Sequence, residues 1–344
     1  MHIVQYFSGL IPPVGYGGIQ RMVFWLAREM LAQGHRVTVF ADGASNIKAL
    51  LPAVNFIPVA ANGEDYRKLI PEDADIIHFH GMPEPQLPPD IPYLFTEHGI
   101  QVKPGACWPN TVFLSKSHAR SHGGEIYVYN GIPKDNYPFC VSKDNFMLFM
   151  ARVGRRKKNA KTAINMAFDS GLQTRLAGSS WKQNHKVFGS WIFKSILHPG
   201  RISFLGDVDG EEKLALLQKA KILFYLVNWQ EPFALAPHEA MACGTPVLAS
   251  PNGALAEYIR DGENGFLVRT YEEALTALRR LKSMSAAEIT EMAEACRASA
   301  FSIEASVDGY MALYKTLIET QYLYDPKEAK DLYFRWPESI IIRK

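Results

Sequence analysis

The chain has 344 residues, which suits two domains at about 100–200 residues each. Hydrophobic residues make up 47% and charged residues 21%, which excludes a disordered chain and supplies two cores that need neither disulfide nor metal. A formal net charge of +2 is too small to advertise nucleic acid or an acidic membrane as the main partner.

In chain order, Met1-His-Ile-Val-Gln-Tyr-Phe lacks the basic region and cleavage site of a signal peptide and reads as a first strand, Ile3–Phe7. A Gly/Pro loop from Ser8 to Gly18 follows. Apolar residues then recur at helical spacing over Ile19–Gln33, and Gly34 sits where a helix ends. Val37–Phe40 is the next strand, and strand–helix–strand order implies a parallel sheet covered by helices. Further strands are expected at Asp75–Phe79, Tyr93–Thr96, Val112–Leu114 and Ile126–Tyr129, with turns marked by Pro83, Pro85, Pro88, Pro89 and Pro92. The turn formers between Asn130 and Pro138 place a boundary near residue 140, with Asn130-Gly131 in the hinge.

The pattern then restarts. Strands are expected at Phe146–Met150, Arg175–Ala177, Ile202–Phe204, Ile222–Leu226 and Pro246–Ala249. Helices fit Ala160–Ser170, Glu211–Lys219, Pro237–Cys243, Tyr271–Met284, Ala286–Ala298 and about Ser302–Tyr322. The expected organisation is an α/β domain over 1–140, a second over 141–322, and a tail of about 323–344 packed back on the first. Both are Rossmann-like and face a cleft, and ligands of such sheets bind beyond the carboxyl ends of the strands. The four cysteines, Cys107, Cys140, Cys243 and Cys296, are too scattered for a zinc knuckle or redox pair, and a reducing cytoplasm fits them. No apolar run reaches the roughly 18 residues that cross a bilayer.

The most informative stretch is Glu231-Pro-Phe-Ala-Leu-Ala-Pro-His-Glu239. Pro237 suits a first helical position, which puts Glu231 on a loop and Glu239 in the first turn of a helix. Amides around Phe233, Ala234 and Leu235 then lie at a helix N-terminus, a setting for phosphate. A carboxylate on each side accepts hydrogen bonds from hydroxyls. A nucleotide sugar, with ribose, diphosphate and sugar in that order, matches the layout. A second signal is Ala151-Arg152-Val-Gly-Arg155-Arg156-Lys157-Lys158, which directly follows a strand. On its own it reads as readily as a surface basic run or an RNA-binding patch as it does as a ligand site. Gly15-Tyr-Gly-Gly18 before the first helix fails the dinucleotide fingerprint, which disfavours an NAD-dependent oxidoreductase. His78, His80 and His98 follow strands, and a three-histidine zinc site is the less favoured reading of them.

Glu-Pro-Phe-Ala-Leu, Glu-Ala-Met-Ala-Cys-Gly-Thr-Pro-Val, Gly253, Glu257 and Asp261-Gly-Glu-Asn-Gly-Phe-Leu-Val268 occur in register. Together they resemble the retaining glycosyltransferase family 4, of GT-B fold, most closely over residues 146–268. The resemblance implies that Glu231 contacts donor-sugar hydroxyls, Glu239 holds the ribose, and Arg152 and Lys157 grip the diphosphate. It places Gly17 and Gly18 near the donor phosphate and acceptor, His98 beside the donor sugar, and Gly178 near the nucleotide. It also implies that the last helix crosses back to the first domain. Lys116, Ser115 and Asn130-Gly131 match weaker family patterns. Ala151, Lys158 and Ala234 stand where the family has glycines. Tyr16, Trp25 and Trp108 could stack on an acceptor, although packing suits each better.

The implied activity is transfer of a hexose-like sugar from a nucleoside-diphosphate sugar, such as a UDP-sugar, to an acceptor hydroxyl, with retention and with neither metal nor cofactor. The acceptor is a sugar, a lipid-linked group or a small molecule. Nucleic acid is not a partner, and a peripheral foothold on the inner membrane face is unsupported. The alternatives are a nucleotide-sugar epimerase or hydrolase with the same donor site, and an inactive donor-binding subunit.

Overall fold

The computed structural model describes residues 1–13, 15, 17–59, 65–81, 90–103, 107–178, 199–325, 327–332 and 340–343. The chain divides into two compact units, Met1–Pro133 with Phe301–Trp336, and Lys134–Ala300 with Pro337–Lys344. Pro83, Pro85, Pro88, Pro89, Tyr16 and Trp336 lie outside the described residues.

The first unit holds β1 (His2–Tyr6), β2 (Arg36–Asp42), β3 (Asn55–Val59), β4 (Ile76–Phe79), β5 (Tyr93–Thr96) and β6 (Thr111–Val112). They form one parallel sheet in the order β3-β2-β1-β4-β5-β6. Strands this apolar must be covered on both faces, and β1 and β4 are buried along their whole length. Helix Gly18–Ala32 supplies Met22, Val23, Leu26 and Met30 to the core. Tyr6, Phe40, Tyr66 and Phe79 pack together beside Trp108, and Trp25 is also buried, so these two tryptophans are packing residues. The expected strand Ile126–Tyr129 is reduced to a single bridge between Phe113 and Tyr127. β3 has no counterpart among the expected strands, because Pro58 interrupts its apolar pattern.

The second unit repeats the plan with β7 (Phe146–Met150), β8 (Gln173–Ala177), β9 (Ile202–Gly206), β10 (Ile222–Tyr225), β11 (Val247–Ala249) and β12 (Gly265–Leu267). The order is β12-β11-β10-β7-β8-β9, all parallel. Each sheet therefore reverses its winding once, between β1 and β4 and between β7 and β10, and a crevice opens outside the carboxyl ends of such strands.

The change from first to second unit falls after Pro133 rather than near residue 140, and the return falls after Ala300 rather than after residue 322. Helix Ile303–Thr320 thus belongs with the first sheet, as the resemblance implies for the last helix, because its buried aromatic face finds polar partners there. Tyr314 Oη lies 2.6 Å from His78 Nδ1, and Tyr310 Oη lies 3.1 Å from Thr96 Oγ1. The two crossing segments pair directly through the bridge between Ile132 and Ser302. The expected tail divides as well. Tyr324 receives the Ile126 amide at 2.8 Å in the first unit. Residues 340–343 lie on the second instead, where Asn252 exchanges hydrogen bonds with the Ile340 backbone and Asn159 donates to Ile342 O. No helix among the described residues is long and apolar enough to cross a membrane.

Removing the Tyr314 hydroxyl strands a fully buried imidazole nitrogen, which costs about 1–3 kcal/mol. Tyr314→Phe should lower the urea-unfolding stability by that amount, and an unchanged midpoint would remove this bond from the account of the helix.

Candidate active site

The second sheet reverses between β7 and β10, so the loops after these two strands are neighbours. The turn after β7 carries Ala151 to Lys158 and closes in a short 3-10 turn, Arg156–Lys158. Asn228 N donates to Lys157 O at 2.9 Å, which ties this turn to the loop after β10. Arg152 and Lys157, expected on one loop, differ in setting. Arg152 is exposed. Lys157 Nζ sits 3.3 Å from the centre of the Trp229 ring. Burial, then the neighbouring Lys158 charge, lowers the Lys157 pKa from its ordinary value.

Glu231 follows on the β10 loop and is 7% exposed. A buried carboxylate needs donors. Oε2 accepts from Lys158 Nζ at 2.7 Å, Trp229 Nε1 at 2.9 Å and Tyr225 Oη at 3.2 Å. The Glu231 backbone is fixed as well, by a bridge to Gly253 and by Ala254 N donating to its carbonyl at 2.9 Å. A Cβ on Gly253 would lie 2.3 Å from Glu231 O at a φ of +67°, so only glycine fits there.

Phe233 is buried and stacks on His238, ring centres 4.5 Å apart, while Tyr258 Oη donates to Phe233 O at 2.9 Å. Ala234 follows at φ 76° and ψ 104° and precedes helix Leu235–Ala242. An alanine in that region is strained, and its tight anchorage on both sides holds it there. The helix starts two residues earlier than Pro237, which is its third residue rather than its first. The first four amides of a helix lack intrahelical partners, and proline removes one of them. Leu235 and Ala236 keep their N–H groups at this end.

Glu239 is 1% exposed, in the second turn of this helix. Its Oε1 accepts from Lys213 Nζ at 2.7 Å and Tyr137 Oη at 2.8 Å. The two acids thus each have a lysine and a tyrosine on one carboxylate oxygen, and Glu231 has the Trp229 indole besides. Gly178, after β8, takes a φ of +113°, and a Cβ there would lie 2.4 Å from Ala151 O. It shapes the base of the basic turn, with Val153 N donating to Gly178 O at 3.4 Å. Sequence reasoning missed Tyr137, Lys213, Tyr225 and Trp229. Only Trp229, two residues before Glu231, carried a signal.

In the first unit, Gly17 and Gly18 open helix Gly18–Ala32 after β1, and Gly17 O accepts from Arg21 N at 3.3 Å. His98 follows β5, and its Nε2 lies 3.1 Å from His80 Nδ1. His80 in turn packs on the His78 ring at 3.9 Å. Both nitrogens of His78 are engaged, by Tyr314 Oη and by Thr96 Oγ1 at 2.6 Å each, which removes it as a zinc ligand. No cluster able to hold a metal occurs among the described residues. Burial pushes the His98 pKa down to about 3 and those of His78 and His80 well below their ordinary value. His98 is therefore a neutral hydrogen-bonding group near pH 7. Beside it, burial raises the Glu97 pKa, and the Gly99 amide donates to its Oε1 at 2.7 Å.

Two Rossmann-like units with these side chains at the carboxyl ends of their strands define the GT-B glycosyltransferase architecture. Residues 138–302 match the family model for glycosyl transferases group 1, and residues 16–125 match the model for Glycosyltransferase Family 4. A phosphatidyl-myo-inositol mannosyltransferase of Mycobacterium leprae (strain TN) is 25% identical, over 90% of this chain and 96% of that protein. The structure of AviGT4, a glycosyltransferase involved in avilamycin A biosynthesis, superposes with a TM-score of 0.71 at 24% identity, covering 92% of this chain and 98% of that one. Anabaena HepE in complex with UDP-glucose gives a TM-score of 0.64 at 17% identity, covering 93% and 100%. The chain belongs to glycosyltransferase family 4 and is a sugar-transferring enzyme.

The buried histidines set an acid limit. His238 is held down to about 3 by burial, and His78, His80 and His118 well below 6.5. The unfolded chain takes these protons near pH 6.5, about the free imidazole value, whereas the folded chain refuses them. Stability is thus complete above that pH and declines below it. Glu97, whose pKa burial raises, acts in the opposite sense through one group only, as pH rises from the ordinary carboxyl value of about 4.3. The urea midpoint should be lower at pH 5.0 than at pH 7.5 (roughly one unit either side of the imidazole range), and equal midpoints would overturn the assignment of neutral buried imidazoles.

Proposed function

We propose that this enzyme moves a sugar from a nucleoside-diphosphate sugar to an acceptor hydroxyl with retention of anomeric configuration, and that it uses no metal. The observation that carries the reading is the pair Glu231 and Glu239. Two buried carboxylates, each with a lysine and a tyrosine on one oxygen, flank a helix start whose amides suit phosphate. Glu239 holds the ribose and Glu231 the donor-sugar hydroxyls. Arg152, Lys157 and the amides near Phe233, Ala234 and Leu235 receive the diphosphate, and Gly178 shapes the turn beneath them.

Cleavage of the anomeric bond leaves negative charge on the diphosphate and positive character on the sugar ring. Fixed cations and amides stabilise the first charge, and the loss of one such group typically costs about 2.7–4 kcal/mol at the transition state. Neutral His98, with Gly17 and Gly18, serves the donor sugar and acceptor from the first unit. The acceptor attacks the face the leaving group vacates, and the departing phosphate takes the hydroxyl proton. HepE, solved with UDP-glucose, supports a uridine donor. The name of the M. leprae relative supports an acceptor of the polyol or lipid-linked kind.

A thermal-shift panel of UDP, GDP, ADP and their sugar conjugates tests the donor. A ligand at 100-fold its Kd adds about 2.7 kcal/mol, and no shift with any of them would sink the reading. Glu239→Ala should weaken binding of the nucleoside diphosphate itself. Glu231→Ala should leave that binding intact and lose about tenfold on the sugar conjugate, as expected for a hydrogen bond to a charged group. Chelator should leave turnover unchanged, and an inverted product would refute retention.

A further inference from the structure

Lys158 stands where the family resemblance leads to glycine, and its surroundings give it a task. Its ammonium donates to Glu231 Oε2 at 2.7 Å and to Tyr225 Oη at 2.9 Å. Tyr225 Oη, having accepted from lysine, donates its own proton to the same Oε2 at 3.2 Å. Trp229 Nε1 supplies the third donor at 2.9 Å. The indole is itself held between loops, with Lys157 Nζ 3.3 Å and Lys158 Nζ 5.4 Å from its ring centre. All three donors go to one oxygen, and the Lys158 and Glu231 side chains are only 11% and 8% exposed.

We propose that Lys158 is a positioning residue that ties up Glu231 Oε2 and so makes Oε1 the one oxygen that reads the donor sugar. The proposal rests on the reading that Glu231 holds donor-sugar hydroxyls. A carboxylate has about four lone-pair sites on its two oxygens. With both oxygens open it accepts two adjacent hydroxyls and tolerates rotation about its last bond. With Oε2 saturated, the plane of the carboxylate is set and a single hydroxyl is read. Glycine at 158 would leave only the neutral tyrosine and indole donors, which hold a carboxylate less firmly than a charge-assisted bond. Lys158 thereby narrows the choice among sugars that differ at one hydroxyl, without touching the nucleotide.

Isothermal titration of the unaltered protein, Lys158→Met and Lys158→Arg with UDP, UDP-glucose, UDP-galactose, GDP and GDP-mannose tests this, with thermal melting to confirm folding. Lys158→Met should bind the nucleoside diphosphate within about twofold of the unaltered protein. It should lose about tenfold on the preferred sugar conjugate, the size of one charge-assisted hydrogen bond, and its preference between epimers should flatten. Lys158→Arg should restore most of that preference. Unchanged epimer preference in a folded Lys158→Met overturns the proposal and leaves the donor reading standing. An equal loss on nucleotide and sugar conjugate also overturns it, by placing Lys158 on the nucleotide. No binding of any of these ligands by the unaltered protein overturns both readings.

Discussion

A carboxylate removed from water must be surrounded by donors, and this constraint organises the second unit. Glu231 and Glu239 are almost wholly buried, so each recruits a lysine and a tyrosine. Those partners come from distant parts of the chain: the turn after β7, the end of β10, helix Gly210–Lys219 and the segment after the crossing at Lys134. Satisfying two charges therefore fastens four elements around one helix start. The strand order makes this possible, because the reversal between β7 and β10 brings the basic turn beside the acidic loop.

The same logic accounts for Ala234. Its backbone conformation costs an alanine more than a glycine, and Phe233 on one side and the helix on the other hold it in place. The strain lies at the segment that Glu231 and Glu239 bracket, where over-determined neighbours can sustain it. Lys158 is the other departure from the family pattern. In the fold it completes the donor set around Glu231 rather than loosening the turn.

Much of this was legible in the sequence because it is local. The β7 and β10 strands are short apolar runs ended by turns, and Glu231 and Glu239 announce themselves by spacing around a helix start. What could not be read was non-local. Nothing near Lys213 or Tyr137 marks them as partners of a residue far along the chain, and the engagement of His78 by Tyr314 spans 236 positions. Local reading put the domain boundary at the return crossing too late, although the family resemblance already implied that the last helix crosses back. Ser302 to Thr320 has the same helical pattern whichever sheet it covers, and its tyrosine partners show which one it is. Pro237 misled by one half-turn, since a proline is accepted anywhere in the first turn of a helix.

The placement of helix Ile303–Thr320 bears on the order in which the chain can fold. Tyr310 and Tyr314 close over His78 and Thr96, so the first sheet lacks part of its cover until that helix exists. The second unit is encoded in between. During synthesis the first 133 residues must therefore wait, with a polar and aromatic seam open to water, while a whole second core is made. The product of that interval is a partly covered parallel sheet, the kind of intermediate that exposes apolar surface and depends on timely completion. A single aromatic helix thus links the maturation of the first unit to the successful synthesis of the second.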